Sequence, residues 1–174
     1  MTADMAQVSA TMIFLVLLAI LMITDALWLR LPVALNVTLC ATGLAIGHWA
    51  FGVPFVDRAI GAAGGYLVLR AISASYQLMR GRPGMGAGDP VMLCGLGAWL
   101  GWQPLPMTVL GASVIGLIVA VLRNHRAGFD QSWDKMHLPF GSLMAVAAIV
   151  TVFVTEFAPL PLAAIPVDAG DPIQ

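Results

Sequence analysis

Two aspartates and three glycines are the residues of this chain whose types and spacing invite chemistry. Asp25 lies at the end of the first apolar run. Asp89 closes the loop Gly84-Met85-Gly86-Ala87-Gly88-Asp89, set between two later apolar runs. An ionisable side chain at membrane depth is costly, so each aspartate is a functional-site hypothesis by default. Together they are the minimum equipment for hydrolysing a peptide bond without a metal or a nucleophilic side chain. One carboxylate, ionised, accepts a proton from water, while the other, protonated, polarises the scissile carbonyl. Close like charges do not both ionise cheaply, which separates the two roles. The aspartates are far apart in sequence, so only packing of the first apolar segment against the fourth joins them. Gly84, Gly86 and Gly88 are permissive at positive φ and admit close backbone approach. The N–H groups of such a loop also suit a substrate strand. Read in isolation, the loop is first a flexible helix connection with Asp89 as an ordinary cap, and Asp25 an interfacial carboxylate.

The elements that must position these residues follow from composition. The chain is 60% hydrophobic and 10% charged, with a mean hydropathy of +0.91. A soluble domain is nearer half apolar and a quarter charged, so the natural solvent here is a lipid bilayer. A net charge of −1 gives no reason to expect a nucleic-acid partner. A helix needs about 20 apolar residues to cross a bilayer. The expected fold class is therefore all-α: a polytopic integral membrane protein with about six transmembrane helices. The spans are expected at Gln7 to Trp28, Pro32 to Phe51, Ala59 to Met79, Pro90 to Leu100, Pro106 to Leu122 and Pro139 to Phe157. The first ten residues hold no Lys or Arg and no small-residue cleavage site follows, so the first run reads as a retained span. Residues 1–158 form the expected transmembrane domain, and the Pro-rich, acidic stretch 159–174 is an expected disordered tail.

Positive charges orient the bundle. With six spans, Arg30, Arg80, Arg82, Arg123, Arg126 and Lys135 fall on one side, and only Arg58, beside Asp57, on the other. The first side is expected to be cytoplasmic, with both termini facing outward. Asp25 and Asp89 then share the cytoplasmic face at similar depth, independently of any motif. The fourth span is short, and such lengths also suit re-entrant or protein-buried segments. Pro90 suits a first helical turn, with Asp89 near the N-cap, where a carboxylate is favoured.

At this point the residues carry a family likeness. The loop, followed by Leu96-Gly97-Ala98-Trp99-Leu100-Gly101-Trp102, resembles the type IV prepilin peptidases, intramembrane aspartic peptidases of the GxGD type. Asp25-Ala26-Leu27-Trp28-Leu29-Arg30-Leu31-Pro32 is similar to the family's other motif, an aspartate followed by a basic residue and Leu-Pro or Ile-Pro. Gly65-Tyr66-Leu67 and Leu138-Pro139-Phe140-Gly141 also resemble family elements, in order. The resemblance implies Asp25 and Asp89 as the catalytic pair, with Gly84, Gly86 and Gly88 shaping the loop or binding substrate. It implies removal of a basic leader from type IV prepilins, pseudopilins or Flp-type pilins, at the cytoplasmic face of a bacterial inner membrane. Arg30, Arg80 and Arg82 are then topology anchors or lipid contacts, because the leader is itself basic. Val33 and Val91 stand where many family members carry Asp or Asn, and Lys. The absence of an N-terminal domain with paired Cys-x-x-Cys resembles the short forms without methyltransferase activity.

Two other readings stay open: a catalytically weak relative acting as a membrane scaffold, and a small ion-coupled transporter using the aspartates as a relay. No tract places Cys or His at metal-ligand spacing, so no cofactor or metal is expected. Cys40 and Cys94 read as buried, inert thiols. His48 reads as packed or interfacial and His125 as solvated, while Asp130, Asp134 and Lys135 read as a solvated face. Trp28, Trp49, Trp99 and Trp102 fall near span ends, as an aromatic belt would. Arg70, inside the third span, either snorkels or faces the site. Gly61, Ala62, Ala63, Gly64 and Gly65 suit close helix packing. The expected partners are the pilin substrate and the bilayer; the oligomeric state is open.

Overall fold

Proline and glycine set the helix boundaries. The computed structural model describes residues 2–28, 31–82, 85–126 and 140–157. Six helices occupy them: α1 (Thr2–Trp28), α2 (Val33–Phe51), α3 (Phe55–Arg80), α4 (Asp89–Leu100), α5 (Leu105–Arg126) and α6 (Phe140–Phe157). Pro32 and Pro54 precede α2 and α3 with extended ψ values of 121° and 149°. Gly52 and Gly81 end those helices in the left-handed conformation, φ 67° and 70°, where a side chain would be strained. Their N–H groups donate to the carbonyls of His48 and Gln77.

The six expected helices are all present, with three clearly shifted boundaries: α1 begins at Thr2 and not Gln7. Helix α3 begins at Phe55 and not Ala59, because Pro54 starts it and the Asp57–Arg58 pair lies inside its first turns. Helix α5 runs to Arg126, beyond the apolar run that ended the sequence-based span at Leu122. By length and composition α1, α2 and α5 can cross a membrane, while α4 and α6 are shorter apolar helices. Helix α3 is long, at 26 residues, but carries Asp57, Arg58, Arg70 and Arg80. Arg30, Gly84, Asp130, Asp134, Lys135, His137, Leu138, Pro139 and the 159–174 tail lie outside the described residues.

Helix α4 is the hub. It packs most extensively against α2 and α3 and also meets α5 and α6, while α1 joins α2 to α6. The outer helices thus run α3, α2, α1, α6, α5 around α4. With 12 residues and about 1.5 Å of rise each, α4 is about 18 Å long. That is short of a hydrocarbon core of about 30 Å. It needs no lipid-facing surface, because nearly all its residues are buried in protein.

Glycine lets its neighbours come this close. A Cβ at Gly61 would lie 2.7 Å from the Gly97 carbonyl oxygen, and one at Gly97 would collide with the Gly61 backbone. Gly65 is similarly apposed to Leu93, and Gly43 to Trp99 and Ala98. Of the small-residue run in α3, Gly61, Ala62 and Gly65 face the hub; Ala63 is exposed and Gly64 meets open space.

Two expectations need correction. Trp99 is no belt residue. It is fully buried, its indole N–H donates to the Leu39 carbonyl at 2.8 Å, and its ring packs on Phe14 and Phe51. Its side chain turns inward onto α1 and α2, so nearness to a span end does not make it a belt residue; Trp28, Trp49 and Trp102 are exposed, as a belt requires. Arg58 is no loop charge. It is buried, and its guanidinium donates to the carbonyls of Gly43 and Leu44 at 2.6 and 3.0 Å. Gly47 leaves room for it, with its guanidinium 3.2 Å from where a Cβ would be. Cys40 and Cys94 are free, half-buried thiols whose sulfurs lie 3.3 Å apart across the α2–α4 interface.

Candidate active site

The ends of α1, the start of α2 and the starts of α4 and α6 meet at one end of the bundle, and both aspartates lie there. Asp25 sits one turn before the end of α1 and is 5% exposed; Asp89 is the first residue of α4 and also 5% exposed. Each carboxylate is held by backbone donors. Asp25 Oδ2 accepts the Ser142 N–H at 2.6 Å across 117 residues of sequence. Ser142 is in the first turn of α6, where N–H groups lack helical partners and an anion is favoured. Asp89 Oδ2 accepts the Gly86 N–H at 3.1 Å, and the Asp89 N–H donates to the Gly86 carbonyl at 3.2 Å. Gly88 is the N-cap of α4, so Asp89 turns back onto its loop and caps no N–H within the helix.

Leu31 ties the two halves together. A Cβ at Gly88 would lie 2.6 Å from Leu31 Cβ; one at Gly141 would lie 2.8 Å from Leu31 Cδ1 and 3.0 Å from Asp25 Oδ2. One leucine therefore contacts the residue before Asp89 and the residue against Asp25. Asp89 in turn lies within the electrostatic reach of Asp25. The structure thus brings together Asp25, Asp89, Gly86 and Gly88, while Gly84 lies outside the described residues.

Gly86 and Gly88 act by closeness and not by handedness. The positive-φ glycines among the described residues are Gly52, Gly81 and Gly101; Gly88 has φ −80°. Gly86 leaves space for the Asp89 carboxylate, 3.1 Å from where its Cβ would stand. The sequence allowed both uses of glycine, and the loop employs the second. Arg70 is exposed on α3. Val33 is exposed and Val91 half-buried in the first turn of α4. Among the described residues, no three His, Cys, Asp or Glu side chains gather as metal ligands would.

Asn36 is the residue that the sequence reading missed. It is fully buried one turn into α2, and its Nδ2 donates to the Gly88 carbonyl at 3.3 Å. That carbonyl also accepts the Met92 N–H at 2.9 Å. Asn36 Oδ1 is buried and has no hydrogen-bond partner. A neutral hydrogen bond nets about 0.5–1.5 kcal/mol, whereas an unsatisfied buried polar atom costs about 1–3 kcal/mol. The amide is therefore no net source of fold stability. The signal available beforehand was an amide alone in the apolar run of a membrane helix.

Comparison with known proteins gives this site a context. The model of the type IV leader peptidase family matches residues 12–121. The chain is 35% identical over 156 residues to a prepilin leader peptidase/N-methyltransferase of Aeromonas salmonicida, covering 87% of this chain and 51% of that protein. It is 38% identical over 125 residues to the protein of the same description in Burkholderia pseudomallei, covering 71% of this chain and 39% of the relative. With that of Pseudomonas putida it shares 39% identity over 114 residues, 63% of this chain and 37% of the relative. The chain thus spans about half the length, or less, of the curated relatives it matches. No solved structure matches it.

Proposed function

We propose that this chain, which belongs to the type IV leader peptidase family, is an aspartic endopeptidase that removes the basic leader from prepilins, pseudopilins or Flp-type pilins. The observation that carries this reading is the convergence of two buried carboxylates at one end of the bundle, joined through Leu31. Asp25 and Asp89 act as the dyad: one, ionised, takes a proton from water, and the other, protonated, polarises the scissile carbonyl. Backbone N–H groups of Ser142 and Gly86 hold one oxygen of each carboxylate. Gly86 and Gly88, with Gly84, let the loop close on the site and receive the substrate strand. Residues 1–158 form the catalytic unit. The site faces the cytoplasm, because Arg80 ends α3 and Arg82 follows it at the same end of the bundle.

Co-expression with candidate pilins in a host lacking its own peptidase tests the reading. Loss of the leader's mass is expected with the wild-type chain and not with Asp25→Asn or Asp89→Asn. Cleavage by either variant removes the dyad assignment. Failure to cleave any candidate pilin favours a membrane scaffold, the reading to which Val91 in place of Lys would then belong.

A further inference from the structure

We infer that Asn36 is a positioning residue: its side-chain amide fixes the Gly88–Asp89 peptide and so sets where the Asp89 carboxylate stands. The inference rests on Asp89 acting in peptide hydrolysis as proposed above. Three observations carry it. The first is placement. Asn36 comes from α2, and its donor crosses 52 residues of sequence to the carbonyl immediately before Asp89. The bonds of Gly86, Gly88 and Asp89 to their own segment run within 86–92, whereas the Asn36 bond reaches Gly88 from another helix. The second is that the amide does not repay its burial through stability, since its Oδ1 is buried without a partner. An apolar side chain of the same size would fill the space without that cost. The third is that Gly88 is met from two sides. Contact with Leu31 blocks movement toward α1, and Asn36 pulls on the carbonyl from α2. The peptide preceding Asp89 is thus held from two directions, one steric and one polar.

The atom assignment follows from chemistry. A carbonyl oxygen accepts, so the amide nitrogen must face Gly88 and the oxygen must face away. Asn36 makes no identified contact with either carboxylate. It acts through the backbone that carries one of them. A misplacement on the order of an ångström from a site remote to the chemistry is enough to lower turnover about a hundredfold.

Asn36→Leu in the full chain, purified in detergent, tests this with three readouts. Cleavage of a prepilin is expected to lose at least tenfold in kcat with KM within about twofold, because the substrate surface is intact. Hydrogen exchange of the 85–89 amides is expected to quicken at least tenfold while the rest of the bundle is unchanged. The thermal midpoint is expected not to fall. Unchanged kcat or unchanged loop exchange overturns the inference. A lowered midpoint with faster exchange throughout the bundle also overturns it, by making Asn36 a structural residue. If the wild-type chain cleaves no pilin, the peptidase reading fails by itself, and the loop exchange still decides what Asn36 holds.

Discussion

The C-terminal end of α4 is gripped on every side, whereas its N-terminal end rests on a loop and a few longer hydrogen bonds. At the C-terminal end Trp99 is fully buried and bonded to Leu39, and Gly97 lies against the Gly61 backbone. Gly101 closes the helix with a 2.9 Å bond to Gly97. Arg58 is drawn inside nearby by two carbonyls. At the N-terminal end the bonds that set Asp89 are 3.1, 3.2 and 3.3 Å long and involve one side-chain donor, Asn36. The same short helix thus has one end fixed by close packing of large side chains and backbone and one end set by longer hydrogen bonds, and Asp89 belongs to the second. Close packing supplies rigidity without polar atoms. If Asp89 acts as proposed, it must meet water and a peptide, which such packing would not allow.

The largest effect expected is at the dyad. Asp25→Asn and Asp89→Asn should each lower pilin cleavage by about 100- to 10 000-fold with little change in thermal midpoint, measured by leader loss and by thermal unfolding in detergent. Equal loss of stability in these variants would erase the distinction between the two ends. At the closely packed end Trp99→Ala should cost about 3–5 kcal/mol of stability, read by denaturant unfolding, with any fall in cleavage explained by the unfolded fraction. Near the site, Gly88→Ala and Gly141→Ala should each cost about 1–3 kcal/mol through overpacking. Leu31→Ala should relieve Gly141→Ala, whose new methyl meets the leucine's δ-carbons, but not Gly88→Ala, whose methyl meets Leu31 Cβ itself. A double-mutant cycle measures that difference, and equal rescue of both would place Leu31 differently. The smallest effect should come from Arg70→Gln. That side chain is exposed, so cleavage should stay within about twofold and stability within about 0.5 kcal/mol.

Much of the architecture was legible because membrane burial writes itself into composition. Apolar runs, two of them opened by Pro32 and Pro90, give the helices within about five residues, while the start of α3 at Pro54 was missed. The aspartates stood out because a carboxylate has no business in an apolar run unless something uses it. Two readings failed for one reason. Trp99 and Arg58 were judged from their position near a span end. In each case the deciding fact was a neighbour from another helix. Position tells how far a residue lies along its helix; it does not tell which side faces protein.

What the sequence determined by itself is the list of parts: helical spans, two aspartates out of place in lipid, and a glycine loop. These are local properties, set by the free energy of putting each residue type in hydrocarbon or in a turn. What only the tertiary structure decided is which parts meet. Leu31 against Gly88 and Gly141, Ser142 on Asp25, and Asn36 on Gly88 join residues that are distant in sequence. Such contacts depend on helix rotation and on interhelical spacing at single-atom scale. Hydropathy carries neither quantity, because a helix turned about its axis keeps the same composition while presenting a different face.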